Sequence, residues 1–234
     1  MKTKILAIFA CLLWGSAFAG AKIGFEYTTP LHLSGMRFML AGLLLIPFLI
    51  YQKIDWISNL KEWRYMLLFG FLQTFIQYGF FFMGLNKVPA AISAIIIGGG
   101  PFFVAVMAHF TMGNDRMSFR KILAIVLGMA GIVFISFAKG GSIHTDISFY
   151  YGVILLIISN IVGASTNIIV AKNRNKVSPV MLTAFANFSG GLILYIVSFF
   201  TEDWYVKPYS LEFYIAWIWL ALIPAVGTGA RGRE

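Results

Sequence analysis

The residues that could do chemistry in this chain are mostly uncharged. Every Asp and Glu lies outside or at the edge of an apolar segment, at positions 26, 55, 62, 115, 146, 202, 203, 212 and 234. Membrane transporters that move protons commonly use a carboxylate inside the bilayer, and no apolar segment here contains one. His32, His109 and His144 lie on different segments, without an HExxH motif, a Ser–His pair or paired aspartates. The sequence therefore predicts no catalytic residue, no metal site and no cofactor.

Polar, aromatic and small groups within the apolar segments are the candidate substrate-cavity residues. They are Trp14, Arg37, Gln73, Gln77, Tyr78, Gly98, Gly99, Gly100, Pro101, Asn160 and Asn187. Gln73 and Gln77 are four residues apart, so on an α-helix both amides project from one face, with Tyr78 beside them. A single amide more often joins neighbouring helices, whereas two on one face favour a cavity that holds water or ligand. Trp14 is either a wall of that cavity or a packing residue.

Arg37 lies six residues inside its apolar segment, about 9 Å along a helix. A charge at the centre of a bilayer is costly, so such a side chain either snorkels to the surface or faces a cavity. Both alternatives stay open for Arg37, and in a cavity it would meet an anionic group. Lys22 and His109 lie near segment ends, where snorkelling and interfacial hydrogen bonding are expected.

The segment 92–103, "ISAIIIGGGPFF", places three glycines and a proline inside an apolar run. A loop here would leave two pieces of about ten residues, each too short to cross a bilayer. The sequence therefore predicts one helix that is weakened at its midpoint. Pro101 cannot donate a hydrogen bond to the carbonyl of Ile97, and the glycines add flexibility. Such a helix allows either close approach of a neighbour or an irregular segment that lines a cavity.

The elements that must position these residues are membrane-spanning helices. The chain is 59% hydrophobic and only 12% charged, whereas a soluble domain carries about 25% charged residues. Its apolar blocks are about 20 residues long, as a bilayer requires, and backbone groups in lipid must pair within a helix. The predicted spans are 5–24, 31–51, 65–86, 89–112, 121–138, 150–171, 180–201 and 213–229. The first is predicted to stay uncleaved, with signal-peptide cleavage after Ala19 as the alternative.

The basic residues predict the orientation of these spans. The net charge of +9 is scattered over short links between them, which indicates topology signals and lipid headgroups and not nucleic acid. The links on one side carry most of the cations, which are Lys2, Lys4, Lys53, Lys61, Arg64, Arg116, Arg120, Lys121, Lys172, Arg174, Lys176, Arg231 and Arg233. The other side has Lys87, Lys139 and Lys207. The rule that cytoplasmic loops are positive predicts a multi-pass protein of the cytoplasmic membrane with a cytoplasmic N-terminus.

An internal repeat relates the two halves of the chain. Residues 15–46 contain "GSAFAGAK…P…GLLLI" and residues 163–195 contain "GASTNIIVAK…P…GLILY". Gly42 follows Pro30 by twelve residues, and Gly191 follows Pro179 by twelve. Because an odd number of spans separates the copies, the halves cross the membrane in opposite senses. Inverted repeats of this kind are typical of secondary transporters, whose substrate site lies between the halves.

The motifs resemble the EamA-like drug/metabolite transporters. "WGSAFAGAKIG" at 14–24, Pro30, "RF" at 37–38 and the whole of 88–136 carry the resemblance, although the turn "GNDRMS" supplies Asp115 where the family usually has Glu. The resemblance implies ten helices in two inverted five-helix repeats, with both termini in the cytoplasm. Residues 1–138 correspond to the first repeat. Residues 150–234 correspond to about three helices of the second, so the expected fold is all-α with about eight of ten spans and an incomplete second repeat.

The resemblance also implies export of small metabolites or amino acids, which two inverted repeats would carry out by alternating access. Because no span contains a carboxylate, a facilitator or exchanger is favoured over proton antiport. The expected partners are the small-molecule substrate and membrane lipids, and the sequence leaves a homodimer open. The alternative is a membrane scaffold without transport activity, or an inactive truncated fragment.

Overall fold

The computed structural model describes residues 2–111, 147–173, 176–203 and 207–231, together with residues 123, 126, 127 and 130. Throughout these ranges the secondary structure is helical, and no strand occurs in them. This confirms the predicted all-helical class. The predicted span 121–138 lies outside the described residues except for the four isolated positions.

Residues 2–111, as the structure describes them, form eight α-helices and one π-helix. Their bounds are α1 Lys2–Gly24, α2 Pro30–Leu44, α3 Ile46–Tyr51, α4 Trp56–Leu60, α5 Trp63–Phe69, a π-helix Gly70–Gln77, α6 Tyr78–Lys87, α7 Ala90–Gly98 and α8 Gly100–Thr111. The second half contains α9 Ile147–Lys172, α10 Pro179–Thr201 and α11 Leu211–Arg231.

Five helical stretches among the described residues are long and apolar enough to cross a membrane. They are Pro30–Tyr51, Trp63–Lys87, Ala90–Thr111, Ile147–Lys172 and Pro179–Thr201. Each agrees with a predicted span to within three residues at either end. The predicted spans 5–24 and 213–229 fall within α1 and α11. The chain is thus a multi-pass membrane protein.

Two helices begin in the same way. Pro30 opens α2 after the extended Thr29, and Pro179 opens α10 after the extended Ser178. Proline suits the first turn because its N–H would have no partner there. The carboxylate of Glu202 completes the start of α2. It accepts hydrogen bonds from the backbone N–H groups of the next two residues, Leu31 and His32, at 2.9 and 3.2 Å.

The helices group into two compact units. The first comprises Met1–Phe75 and Arg174–Glu234, and the second comprises Ile76–Asn173. Each unit contains helices from both predicted repeats, and the repeat bounds 1–138 and 150–234 stay a prediction. In the first unit α1 packs on α11, where Trp219 donates from Nε1 to the hydroxyl of Ser16 at 2.9 Å.

Glycines allow α2 and α10 to pack closely in the first unit. A Cβ placed on Gly42 would lie 2.8 Å from the carbonyl oxygen of Ala184 and 2.8 Å from the backbone nitrogen of Phe188. A Cβ on Gly191 would lie 2.8 Å from the backbone nitrogen of Met39 and 3.1 Å from the carbonyl oxygen of Gly35. No other residue type fits these two positions without a backbone shift.

The second unit is built around α9, which contacts α6, α7 and α8. A Cβ on Gly84 of α6 would lie 2.8 Å from the carbonyl oxygen of Gly152 on α9. A Cβ on Gly152 would in turn lie 2.7 Å from a methyl group of Val88. This close crossing joins α6 to one end of α9.

Candidate functional site

A cavity of about 590 Å³ lies within the second unit. It is lined by Gln77, Ile97, Gly100, Pro101, Val104, Ala105, Ala108, Asn160, Gly163, Ala164 and Asn167. None of these side chains is ionisable. Ligand sites in proteins typically measure about 300–1,000 Å³ and combine apolar walls with a few polar groups, and three amides supply the polar groups here.

An interrupted helix forms one wall of the cavity. The helical span Ala90–Thr111 is irregular at the single residue Gly99, between the end of α7 at Gly98 and the start of α8 at Gly100, and Gly99 keeps a right-handed helical backbone. The N–H of Gly99 points back to the carbonyls of Ile95 and Ile96, at 3.1 and 3.2 Å. Pro101 has no N–H to offer the carbonyl of Ile97. The structure thus places this break between α7 and α8 in the segment that the sequence predicted to be weak.

Asn160 of α9 supports this break from the opposite wall. Its Nδ2 donates to the carbonyl oxygen of Ile96 at 2.6 Å, and the residue is 8% exposed. Its Oδ1 would lie 3.2 Å from a Cβ on Gly100, so the missing side chain at that position makes room for the amide. Asn160 therefore both lines the cavity and joins two helices, which were the two alternatives for a single amide.

Gln77 supplies an unused acceptor to the cavity. Its side-chain Oε1 is buried and accepts no hydrogen bond from any described residue. Its backbone carbonyl accepts from the hydroxyl of Ser159 at 2.9 Å, which ties the end of the π-helix to α9. Gly163 opposite leaves space for the amide, because a Cβ there would lie 2.6 Å from Nε2 of Gln77. A buried acceptor without a partner costs free energy, and a bound donor would satisfy it.

Gln73 and Gln77 both lie in the π-helix Gly70–Gln77, in which hydrogen bonds span five residues. Their shared face stays a prediction. Gln73 belongs to the first unit and is not among the cavity's lining residues. In the same π-helix the hydroxyl oxygen of Thr74 is buried without a partner among the described residues. π-Helices of this kind frequently mark functional segments.

The other predicted candidates lie outside the lining of this cavity. Tyr78 belongs to the second unit and packs edge-on to Phe81, with ring centroids 6.1 Å apart. Gly98 ends α7 and Gly99 forms the break. Trp14 is in the first unit and is 45% exposed.

Arg37 and Asn187 are buried in the first unit. Arg37 is 5% exposed, and its guanidinium carbon lies 4.3 Å from the ring centroid of Phe38. Whether Arg37 snorkels or faces a cavity stays a prediction. The Nδ2 of Asn187 is buried and finds no acceptor in the part of the chain that the structure describes.

Sequence reasoning missed the small residues that make the cavity possible. Ala105, Ala108, Gly163 and Ala164 line it and carry no polar signal. Gly100, Val104 and Ala108 recur every four residues, and this helical stripe of small side chains follows the glycine cluster directly. This stripe is the feature of the sequence that could have indicated a cavity beside this face of α8.

Similarity to known proteins identifies the family of this chain. A sequence profile of the EamA-like transporter family matches residues 1–137. The chain belongs to the EamA-like transporter family. The "Uncharacterized transporter YvbV" of Bacillus subtilis is 27% identical over 242 residues, which cover 99% of this chain and 77% of that protein. A "Probable amino-acid metabolite efflux pump" of Escherichia coli is 29% identical over 133 residues, or 56% of this chain and 42% of the pump.

A solved structure has the same fold as this EamA-like chain. The protein, described only as "Crystal structure of protein", superposes with a TM-score of 0.75 at 18% identity, covering 94% of this chain and 74% of that one. At this identity the likeness concerns the fold alone. Family and relatives together support a membrane transporter role.

Proposed function

We propose that this chain is a secondary transporter that exports small metabolites or amino acids across the cytoplasmic membrane. The observation that carries the proposal is the cavity between the interrupted helix α7–α8 and helix α9. Transporter substrate sites commonly lie near the middle of the membrane beside irregular helix segments. Gly99 lies near the centre of the span Ala90–Thr111, so the break falls at that depth.

The lining of the cavity suits a small polar solute without a strong net charge. Gln77 presents a free acceptor, and Asn167 adds a second amide, while the remaining wall is aliphatic or small. Because none of the lining residues is a carboxylate, these residues provide no proton relay. The site therefore favours a facilitator or exchanger that moves its solute down a gradient.

The packing of α2 on α10 supports alternating access by two inverted repeats. When the copies are aligned at Pro30 and Pro179, Gly42 corresponds to Gly191. The contacts of Gly42 with residues 184 and 188 then correspond to those of Gly191 with residues 35 and 39. Such reciprocal contacts are what a two-fold axis produces. A pseudo-two-fold axis is expected for inverted repeats that exchange roles between the two sides of a membrane.

The similarity to the probable amino-acid metabolite efflux pump of E. coli suggests the substrate class. A zwitterion or neutral derivative of amino-acid size would fit a cavity of about 590 Å³. A non-transporting scaffold has no need for a buried acceptor without a partner, so the cavity favours transport over the scaffold alternative.

The test compares the metabolites that cells excrete with and without the chain. Cells that express it should accumulate at least one small polar metabolite in the medium. Ala105→Trp should abolish this excretion, because the indole fills the cavity that Ala105 lines. Phe110→Trp is the matched control, since Phe110 lies on the same helix and is 81% exposed. Excretion that Ala105→Trp leaves unchanged would refute the cavity as the substrate path.

A further inference from the structure

A second cavity, in the first unit, is a groove on the surface of the helices and not a site between buried amides. Its volume is about 420 Å³. It is lined by Trp63, Arg64, Leu67, Leu68, Phe71 and Ile193. Arg64 is the one cation among five apolar side chains, and the four apolar residues from α5 and the π-helix are 40–50% exposed. We call this surface the Arg64 groove.

The Arg64 groove begins where the chain enters the membrane. Trp63 is the first residue of the span Trp63–Lys87, and tryptophan concentrates at membrane–water interfaces. Phe71 lies eight residues further on, about 12 Å deeper at helical rise. The preceding helix α4 exposes Trp56, Ile57 and Leu60, which also suits a segment at the interface. The groove therefore runs from headgroup level into the hydrocarbon.

Basic residues outnumber acidic ones around the mouth of the groove, where Glu62 is the acidic residue between Lys61 and Trp63. The guanidinium carbon of Arg64 lies 5.5 Å from the ring centroid of Trp63, a cation–π contact. Lys176 lies nearby, with Nζ 5.9 Å from the ring centroid of Tyr65, the residue after Arg64. Lys61 precedes the groove by two residues and is exposed.

The carboxylate nearest Lys61 in the preceding helix is Asp55, which interacts with Lys61 but mainly caps α4. The carboxylate of Asp55 accepts from the hydroxyl of Ser58 and from the backbone N–H of Ile57, at 2.5 and 3.0 Å, so it is engaged in capping α4. Among the described residues, no carboxylate forms an ion pair with Arg64. A planar guanidinium with free donors recognises phosphate oxygens through paired hydrogen bonds.

We propose that the Arg64 groove binds an anionic phospholipid. The headgroup phosphate lies on Arg64, with Lys61 and Lys176 adding attraction, and one acyl chain lies along Leu68, Phe71 and the rest of the apolar wall. Basic pockets between transmembrane helices bind anionic headgroups in this way. A zwitterionic lipid brings an ammonium group that the three cations repel. This site does not depend on the proposed transport function.

The test is native mass spectrometry of the purified full chain in mixed micelles with equal amounts of phosphatidylglycerol and phosphatidylethanolamine. The chain should retain phosphatidylglycerol preferentially. Arg64→Gln should reduce that preference about fivefold, the effect expected for one basic residue near a membrane surface. Lys87→Gln is the control, because it removes a cation from the other end of the same span and should leave the preference unchanged.

Two further measurements separate a lipid site from simple attraction of phosphate. Leu68→Gln places an amide on the acyl path, and it should lower retention with Arg64 intact. Glycerol phosphate, which has the headgroup charge but no acyl chain, should not displace the lipid. Equal retention of the two lipids by the unmodified chain overturns the proposal. So does an unchanged preference in Arg64→Gln, unchanged retention in Leu68→Gln, or displacement by glycerol phosphate.

Discussion

Gly163→Ala tests whether Gln77 is the recognition group of the cavity. The new methyl carbon would lie 2.6 Å from Nε2 and 2.8 Å from Cδ of Gln77, whereas ordinary contact begins at 3.4 Å. The amide must therefore retreat by about 0.8 Å. It is the end of a flexible side chain, so the helices keep their positions. The methyl group also occupies only a small part of about 590 Å³, so it does not block the path by volume.

The expected loss follows from one hydrogen bond. A hydrogen bond between the displaced amide and the solute is worth about 1 kcal/mol, which corresponds to roughly fivefold in apparent affinity. The assay is the concentration dependence of export for the metabolite that the excretion test identifies. Gly15→Ala is the matched control, since the same methyl group there meets no atom within 4 Å.

A double-mutant cycle decides whether the effect runs through Gln77. Gln77→Ala should reduce apparent affinity by the same factor, and Gly163→Ala should add nothing further in that background, because the group it displaces is gone. Equal and independent losses from the two substitutions would refute the reasoning. So would normal transport by Gly163→Ala at normal expression.

Three further predictions concern the scaffold. Gly191→Ala should lower stability in detergent by about 1–3 kcal/mol, seen as a lower melting temperature than Gly15→Ala, because its methyl group meets the backbone nitrogen of Met39 at 2.8 Å. Glu202→Ala should cost about 1–3 kcal/mol, measured in the same way, since two N–H groups at the start of α2 lose their acceptor; a melting temperature equal to that of the unmodified chain would contradict this. The hydroxyl of Ser58 donates to Asp55 and holds the pKa of that carboxyl below the ordinary value of about 3.9. The ionised carboxylate therefore stabilises α4 above that pH, and this stabilisation is lost as pH falls through the lower pKa of the folded state. Hydrogen exchange of α4, corrected for intrinsic rates, should show this loss, and Asp55→Asn should remove the pH dependence.

The sequence was sufficient to predict the helices because their signals are local. Apolar length located the five spans, and Pro30 and Pro179 located the starts of α2 and α10 within one residue. The glycine cluster located the break, since Pro101 removes a backbone donor wherever it occurs. Such features depend on a few neighbouring residues and need no knowledge of packing.

The composition of the cavity was only partly predictable because it depends on contacts between distant segments. Gln77, Gly100, Pro101 and Asn160 were identified from residue type. Gly163 was not, because its role is to leave space for an amide 86 positions away in sequence. The π-helix was not predicted either, since hydropathy does not distinguish five-residue from four-residue hydrogen bonding.

The central claim is tested most directly by transport with the purified chain in liposomes loaded with a defined mixture of amino acids and small neutral metabolites. We expect release of at least one of these solutes, loss of that release in Ala105→Trp and its retention in Phe110→Trp. No release by the unmodified chain, or equal release by Ala105→Trp, would contradict the account.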